Sequence, residues 1–395
     1  MKRFTGSFTQ QEPIPDAAIK AAVRVMKSGR LHRYNTVPGE ESETAALERE
    51  FAHMVGAKYC LAVASGGSAM ALTMRAAGVA PGEPVLTNAF TLAPVPGAIA
   101  AIGAVPVLVE VTGDLVIDLD DLAAKAVASG ARMLLLSHMR GHIADMGRLM
   151  AVCERAGLRV IEDCAHTMGA NWDGVPSGRH GLAGCYSTQT YKHVNSGEGG
   201  LIVSDDAELI ARATILSGSY MLYARHGAGP PEEAFEEARL DMPNCSSRMD
   251  NLRAAILRVQ LRDLESQCRA WNARYERVAA GLQGAPGLVM PKRDPREGFV
   301  GSSIQFRLPD LSPEAIAGLV TRCAARGVEL KWFGAPRPEG FTSRHDSWRY
   351  APAQDLPSSD RVLATLLDMR LPLTFSLQDC DLLAEIIADE VARTA

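Results

Sequence analysis

The sequence predicts an α/β fold: a large lobe built on a mostly parallel sheet covered by helices, plus a small C-terminal α+β lobe. Three observations predict it. Up to Ser204, short apolar runs alternate with helical stretches of about ten to fifteen residues, the rhythm of strand-helix-strand units. Next comes a long amphipathic run in which Leu257, Leu261, Leu264, Cys268, Trp271, Tyr275, Val278 and Leu282 fall on one stripe, as in a single helix joining two lobes. Past Gly284-Ala285-Pro286-Gly287 the pattern turns mixed: strands at Ser303 to Leu308 and Val328 to Trp332, a helix opened by Ser312 and Pro313, and a last helix opened by Ser376-x-x-Asp379. The implied division is 1–250 and 251–395.

Taken in order, Pro15 to Met26 reads as a helix ended by Ser28-Gly29-Arg30, and Glu43 to Met54 as a second, stopped by Gly56. Between them Arg30, His32, Arg33 and Tyr34 are either contacts for an anionic substrate or a solvated loop. Lys58 to Ala64 is a strand running into Ser65-Gly66-Gly67-Ser68 and a helix from Ala69 to Ala77. A strand, a glycine turn and a helix N-terminus place free N–H groups and a positive dipole end where a phosphate binds, which nominates Gly66, Gly67 and Ser68. Pro84 to Thr87 delivers Asn88-Ala89-Phe90-Thr91, and Val105 to Glu110 is the next strand. Met133 to Leu136 ends at Ser137-His138-Met139-Arg140-Gly141-His142; its two histidines lie on a strand end without an HExxH carboxylate, so no metal is expected.

Leu158 to Ser204 carries the chemistry. An apolar run ends on Glu162 and Asp163, and further on Lys192 lies between the hydroxyl-rich Ser187, Thr188, Thr190 and Tyr191 and the flexible Ser196-Gly197-Glu198-Gly199-Gly200. A lysine withdrawn from water loses its charge and attacks carbonyls, forming a Schiff base. A carboxylate such as Asp163 complements it by keeping the ring nitrogen of pyridoxal phosphate (PLP) protonated. Ser219 to Asp241 is then a long glycine-, proline- and acid-rich excursion, suited to a lid or a subunit contact.

Asp163-x-x-His166, Ser187 five residues before Lys192, and Gly197-Glu198-Gly199-Gly200 together resemble the DegT/StrS-type sugar aminotransferases among the fold-type-I PLP enzymes, over most of the chain from about Ser28 to the last helix. The resemblance implies a sheet of the seven-stranded type and catalysis by Lys192, Asp163 and His166. It implies Phe90 and His166 against the cofactor ring, and Gly66, Gly67, Ser68 and Ser187 on its phosphate. The family usually shows Gly-Thr where Gly66-Gly67 stands, so Ser68 is the expected hydroxyl. His138 would belong to the loop along the active-site floor. Pro243-Asn244-Cys245-Ser246-Ser247-Arg248-Met249 resembles an Asn-x-Arg-Met element that reaches a neighbouring subunit's phosphate. The asparagine's place holds Ser246 and an asparagine stands at Asn244, so both are candidates and a homodimer is implied. The implied reaction moves an amino group from glutamate or glutamine to a keto-sugar, nucleotide-linked or phosphorylated, or to a cyclitol. A PLP lyase or dehydratase and a non-catalytic sugar-sensing regulator are the alternatives; in the dehydrating branch histidine replaces the lysine, so Lys192 counts against it.

Composition excludes other classes. A net charge of −5 argues against a nucleic-acid or acidic-membrane surface. The first twenty residues lack an apolar core of the signal-peptide kind and no later window forms an apolar span, so a cytoplasmic location is expected. Eight scattered cysteines with no CxxC pair read as buried reduced thiols.

Overall fold

A computed structural model describes residues 2–37, 39–340 and 342–394. Its main sheet has seven strands in the order Tyr59–Val63, Gly200–Ser204, Ala183–Ser187, Arg159–Asp163, Met133–Ser137, Pro84–Asn88, Val105–Val109. Gly200–Ser204 runs antiparallel to both neighbours, and the pairings among the other strands described are parallel. These strands are almost continuously apolar and buried, as a sheet covered on both faces requires. Two separate apolar clusters flank it, one holding Leu134, Leu136 and Val160, the other Leu135, Ile161 and Ile202. The alternation along Leu134 to Leu136 and Val160 to Ile161 thus sends successive side chains into opposite layers.

The parallel strands finish together. Asn88, Ser137, Asp163 and Ser187 are the last residues of four of them, with Ser137 paired to Asp163. The carboxyl edge of an open α/β sheet is where ligands bind. The strand at Gly200 passes close to the loop after Tyr59–Val63; a Cβ on Gly200 would lie 2.3 Å from the Ser65 carbonyl oxygen, so only glycine permits this approach.

Several expected elements shift. The helix after the first strand spans Gly66–Ala76 and starts three residues early, because the Ser65 hydroxyl accepts from the Ser68 N–H and both glycines become its first turn. The single joining helix is two, Asn251–Leu261 and Leu264–Leu282, with Asp263 at the cap between them. The stripe is buried throughout, but its residues up to Trp271 pack in the large lobe and Tyr275, Val278 and Leu282 pack in the small one. Phe4 and Phe8 also join the small-lobe cluster, meeting Phe375 edge-on at 4.8 and 5.0 Å. Phe4 and Phe8 thus pack with residues beyond 250, and the second joining helix contributes to both clusters. In the small lobe, strand Leu366–Arg370 lies between Ser303–Arg307 and Lys331–Trp332; the sequence reading missed this central strand. The Ser219 to Asp241 excursion contains two short 3-10 turns and the helix Ala238–Asp241. No helix among the described residues is long and apolar enough to cross a membrane.

Candidate active site

The carboxyl edge of the sheet brings the expected chemistry together. Asp163 is buried, and its oxygens accept from the Ser137 hydroxyl at 2.9 Å and the Ala165 N–H at 3.1 Å. Ser137 is held in turn: the Asn88 side chain accepts from its N–H and donates to its carbonyl, and the Thr91 hydroxyl donates to its Oγ at 2.8 Å. These neutral donors orient the acid without cancelling its charge, so a cation fits against it. Asn88, Ser137 and Thr91 escaped the sequence reading because the network joins three strands far apart in the chain.

Lys192 sits in a loop closed by Thr188 N–H to Gly199 carbonyl and Thr190 N–H to Gly197 carbonyl bonds. Its Nζ lies 3.1 Å from His166 Nε2. Burial, with help from Arg140 and Arg370 and against the pull of Asp163, brings the amine down to about 7. Burial and the Lys192 charge push His166 well below its usual range, leaving the ring neutral. A lowered pKa means the neutral, nucleophilic amine predominates above about pH 7 rather than above 10.5. PLP capture by the cofactor-free protein should accordingly rise with pH and level off just above 7; a rise continuing to pH 10 in stopped-flow absorbance would contradict this environment.

The third part is the cradle at Gly66–Ala76, whose first N–H groups have no preceding turn to bond. Ser187 closes one side, since a Cβ on Gly66 would come within 2.8 Å of its Cβ. Cradle, buried acid and buried amine are three separate features, and they fit the phosphate, ring nitrogen and aldehyde ends of PLP.

Other expectations fare differently. Phe90 is 0% exposed, enclosed in an apolar cluster and edge-on to Phe333 at 5.1 Å, the setting of a core aromatic. Asn244 and Ser246 lie on an exposed loop, where the Asn244 oxygen accepts from the Ser246 N–H at 2.8 Å and Ser246 takes φ 50°. Arg33 and Tyr34 are no substrate contacts: both are buried, Arg33 against Glu48 and Tyr34 against His226. His138 meets Glu162 at 3.0 Å, and three backbone N–H groups complete both Glu162 oxygens. His138, Glu162 and Cys164 lie close enough to hold a metal, but that carboxylate is already fully bonded to protein. Trp332, at the end of the strand Lys331–Trp332, donates to the Ala364 carbonyl, and Trp348 donates to the Ser343 hydroxyl. Seven cysteines are buried; Cys245 is exposed, contrary to the general expectation.

A buried amine facing a buried acid beside a helix-terminal phosphate cradle, on this sheet with this second lobe, defines a PLP-dependent aminotransferase of fold type I. Residues 14–388 match the model of the DegT/DnrJ/EryC1/StrS aminotransferase family, and the chain belongs to that family. It is 33% identical over 268 residues to the L-glutamine:scyllo-inosose aminotransferase of Streptomyces griseus, a match spanning 68% of this chain and 62% of that enzyme. It is 29% identical over 385 residues to the 3-amino-5-hydroxybenzoate synthase of Amycolatopsis mediterranei, covering 96% of each. A crystal structure of 3-amino-5-hydroxybenzoic acid synthase superposes with a TM-score of 0.83 at 27% identity over 100% of both chains.

Proposed function

We propose that this enzyme moves the amino group of glutamine or glutamate onto a keto group of a cyclitol or sugar. The observation that carries the reading is the Lys192 amine, buried against neutral His166 and across from the uncompensated Asp163. The similarity to a glutamine:inosose aminotransferase supports this donor and acceptor class.

Bound PLP supplies the electron sink that makes the α-proton of the donor labile. Gly66 and Gly67 offer N–H groups to its phosphate, and Ser68 and Ser187 offer hydroxyls. Asp163, held by Ser137 and Ala165, holds a proton on the ring nitrogen. The Lys192 Nζ would hold and move the proton of the donor's α-carbon, a role that an amine near neutrality suits. Neutral His166 orients that amine. We place these steps in a cytoplasmic homodimer. Ser246, propped outward by Asn244, would reach the partner's phosphate. Near that loop Tyr220 is exposed, its ring 5.9 Å from the Arg248 guanidinium.

The PLP-loaded protein should bleach its visible absorbance when L-glutamine or L-glutamate is added, release the 2-oxo acid, and recover the colour when an inosose follows. Recovery without any acceptor would point to a lyase and overturn the reading.

A further inference from the structure

The lysine loop is closed on itself, and a side chain from far along the chain fixes where it sits. Inside the loop the Ser196 N–H donates to the Thr188 carbonyl and the Gly197 N–H to the Asn195 side-chain oxygen, with Gly197 at φ 79°. Those bonds set the loop's shape and leave its position open. Gln260, buried one residue before the end of Asn251–Leu261, accepts from the Asn195 N–H at 2.9 Å and donates to the Asn195 carbonyl at 2.7 Å. A side-chain amide carries both a donor and an acceptor, so it grips the backbone on both sides of one residue as a neighbouring strand would.

Packing does not supply this hold. A cavity of about 70 Å³ lies beside the loop, lined by Thr190, Lys192, His193, Asn195, Gln260 and Trp271. Such a volume takes several waters, so on this side no close contact stops the loop from shifting. His193 adds a second tether, its Nε2 3.1 Å from Ser302 Oγ and its ring tilted against Trp271 at 5.0 Å. One bond leaves the loop free to pivot; the pair at Asn195, three residues from Lys192, does not. A shift of about 1 Å would carry the Lys192 Nζ from 3.1 Å to beyond hydrogen-bond range of His166 Nε2. The charged and titratable groups felt at Lys192 are Asp163, Arg140, Arg370, His166 and His193. None lies on Asn251–Leu261 and Gln260 is neutral, so Gln260 acts on the amine through position alone.

We propose that Gln260 is a positioning residue for Lys192: from the joining helix it fixes the loop at Asn195 and so keeps the amine out of water and against His166. The proposal rests on the aminotransferase reading and adds to it a residue that acts only through another.

The test compares the parent with Gln260→Met, which keeps the side-chain length and removes both bonds. Leu257→Ala is the control, since Leu257 is buried in the large-lobe core of the same helix and its truncation loosens the helix without touching the loop. In the cofactor-free proteins, the pH midpoint of PLP capture should rise by about one unit or more in Gln260→Met, because a loosened loop returns the amine to water. In Leu257→Ala it should stay with the parent. In the loaded enzyme, kcat with L-glutamine should fall roughly tenfold to a hundredfold in Gln260→Met while KM changes less than about threefold, as for a misplaced group. Gln260→Asn, too short to make both bonds, repeats the comparison with a polar side chain should the Met protein not fold. A midpoint and kcat that match those of Leu257→Ala would overturn the proposal. Borohydride labelling of Lys192 in the parent separates the two readings: its absence would remove the aminotransferase reading and this proposal together, whereas matched midpoints in a labelled parent remove this proposal alone.

Discussion

A Lys192→Ala protein should lose transamination by roughly a thousandfold or more, because the residue is both the carbonyl-trapping nucleophile and the proton carrier. It should still fold. Lys192 has one side-chain hydrogen bond, to a neutral histidine, and burial already presses its amine down to about 7 against the pull of Asp163, so its removal relieves a desolvated amine while taking from Asp163 an attraction that burial had already offset. Its unfolding midpoint should match or exceed the parent's. Two measurements check the account: borohydride followed by peptide mass mapping should label the parent at Lys192 and leave the variant unlabelled, and the glutamine half-reaction should vanish from the absorbance trace. Turnover within tenfold of the parent would remove Lys192 from the reaction.

The largest effect on stability should come from Glu48→Gln. Glu48 is 0% exposed and accepts from both Arg33 terminal nitrogens at 2.7 and 2.8 Å and from the Ala62 N–H at 2.8 Å. His226 stands 3.2 Å away and links on to Tyr34 at 3.1 Å. Removing one partner of a buried ion pair leaves the other charge uncompensated, a loss of about 3–5 kcal/mol, readable by urea denaturation. Burial works against ionisation of Glu48, but Arg33 and His226 outweigh it and hold the group down to about 2. A depressed carboxyl stabilises the fold above its unfolded value of 4.5, and that contribution drains away as pH falls from 4.5 toward 2. Glu48→Gln should therefore be less stable at neutrality and flatter through this acid window; an unchanged slope there would place the acid sensitivity elsewhere. The network also ties His226, in the long excursion, to the loop at Arg33, so limited proteolysis of the variant between Tyr223 and Asp241 should quicken.

What could be read along the chain was what lies close along it. Asp163, His166, Ser187 and Lys192 fall within thirty residues, between apolar runs that could only be buried strands, and their spacing carried both the lysine chemistry and the family resemblance. The phosphate cradle was legible for the same reason, although capping by Ser65 moved its helix start onto Gly66. The short strand Leu366–Arg370 was not: five residues with two charges look like a loop until Ser303–Arg307 and Lys331–Trp332 pair on either side. Arg33 looked like a surface cation, since nothing nearby announces that Glu48 and His226 will enclose it. Phe90 shows the reverse case, an aromatic whose placement by resemblance met a Phe333 that only folding brings beside it.

By itself, then, the sequence determined the sheet, its helices and the lysine with its acid, because hydrophobic periodicity and short-range spacing are local properties of a chain. The tertiary structure alone decided which charges are paired and which are left over. Arg33, Glu48 and His226 come from distant segments, and whether a charge is spent on a neighbour or left to solvent depends on the burial and the partners that packing creates.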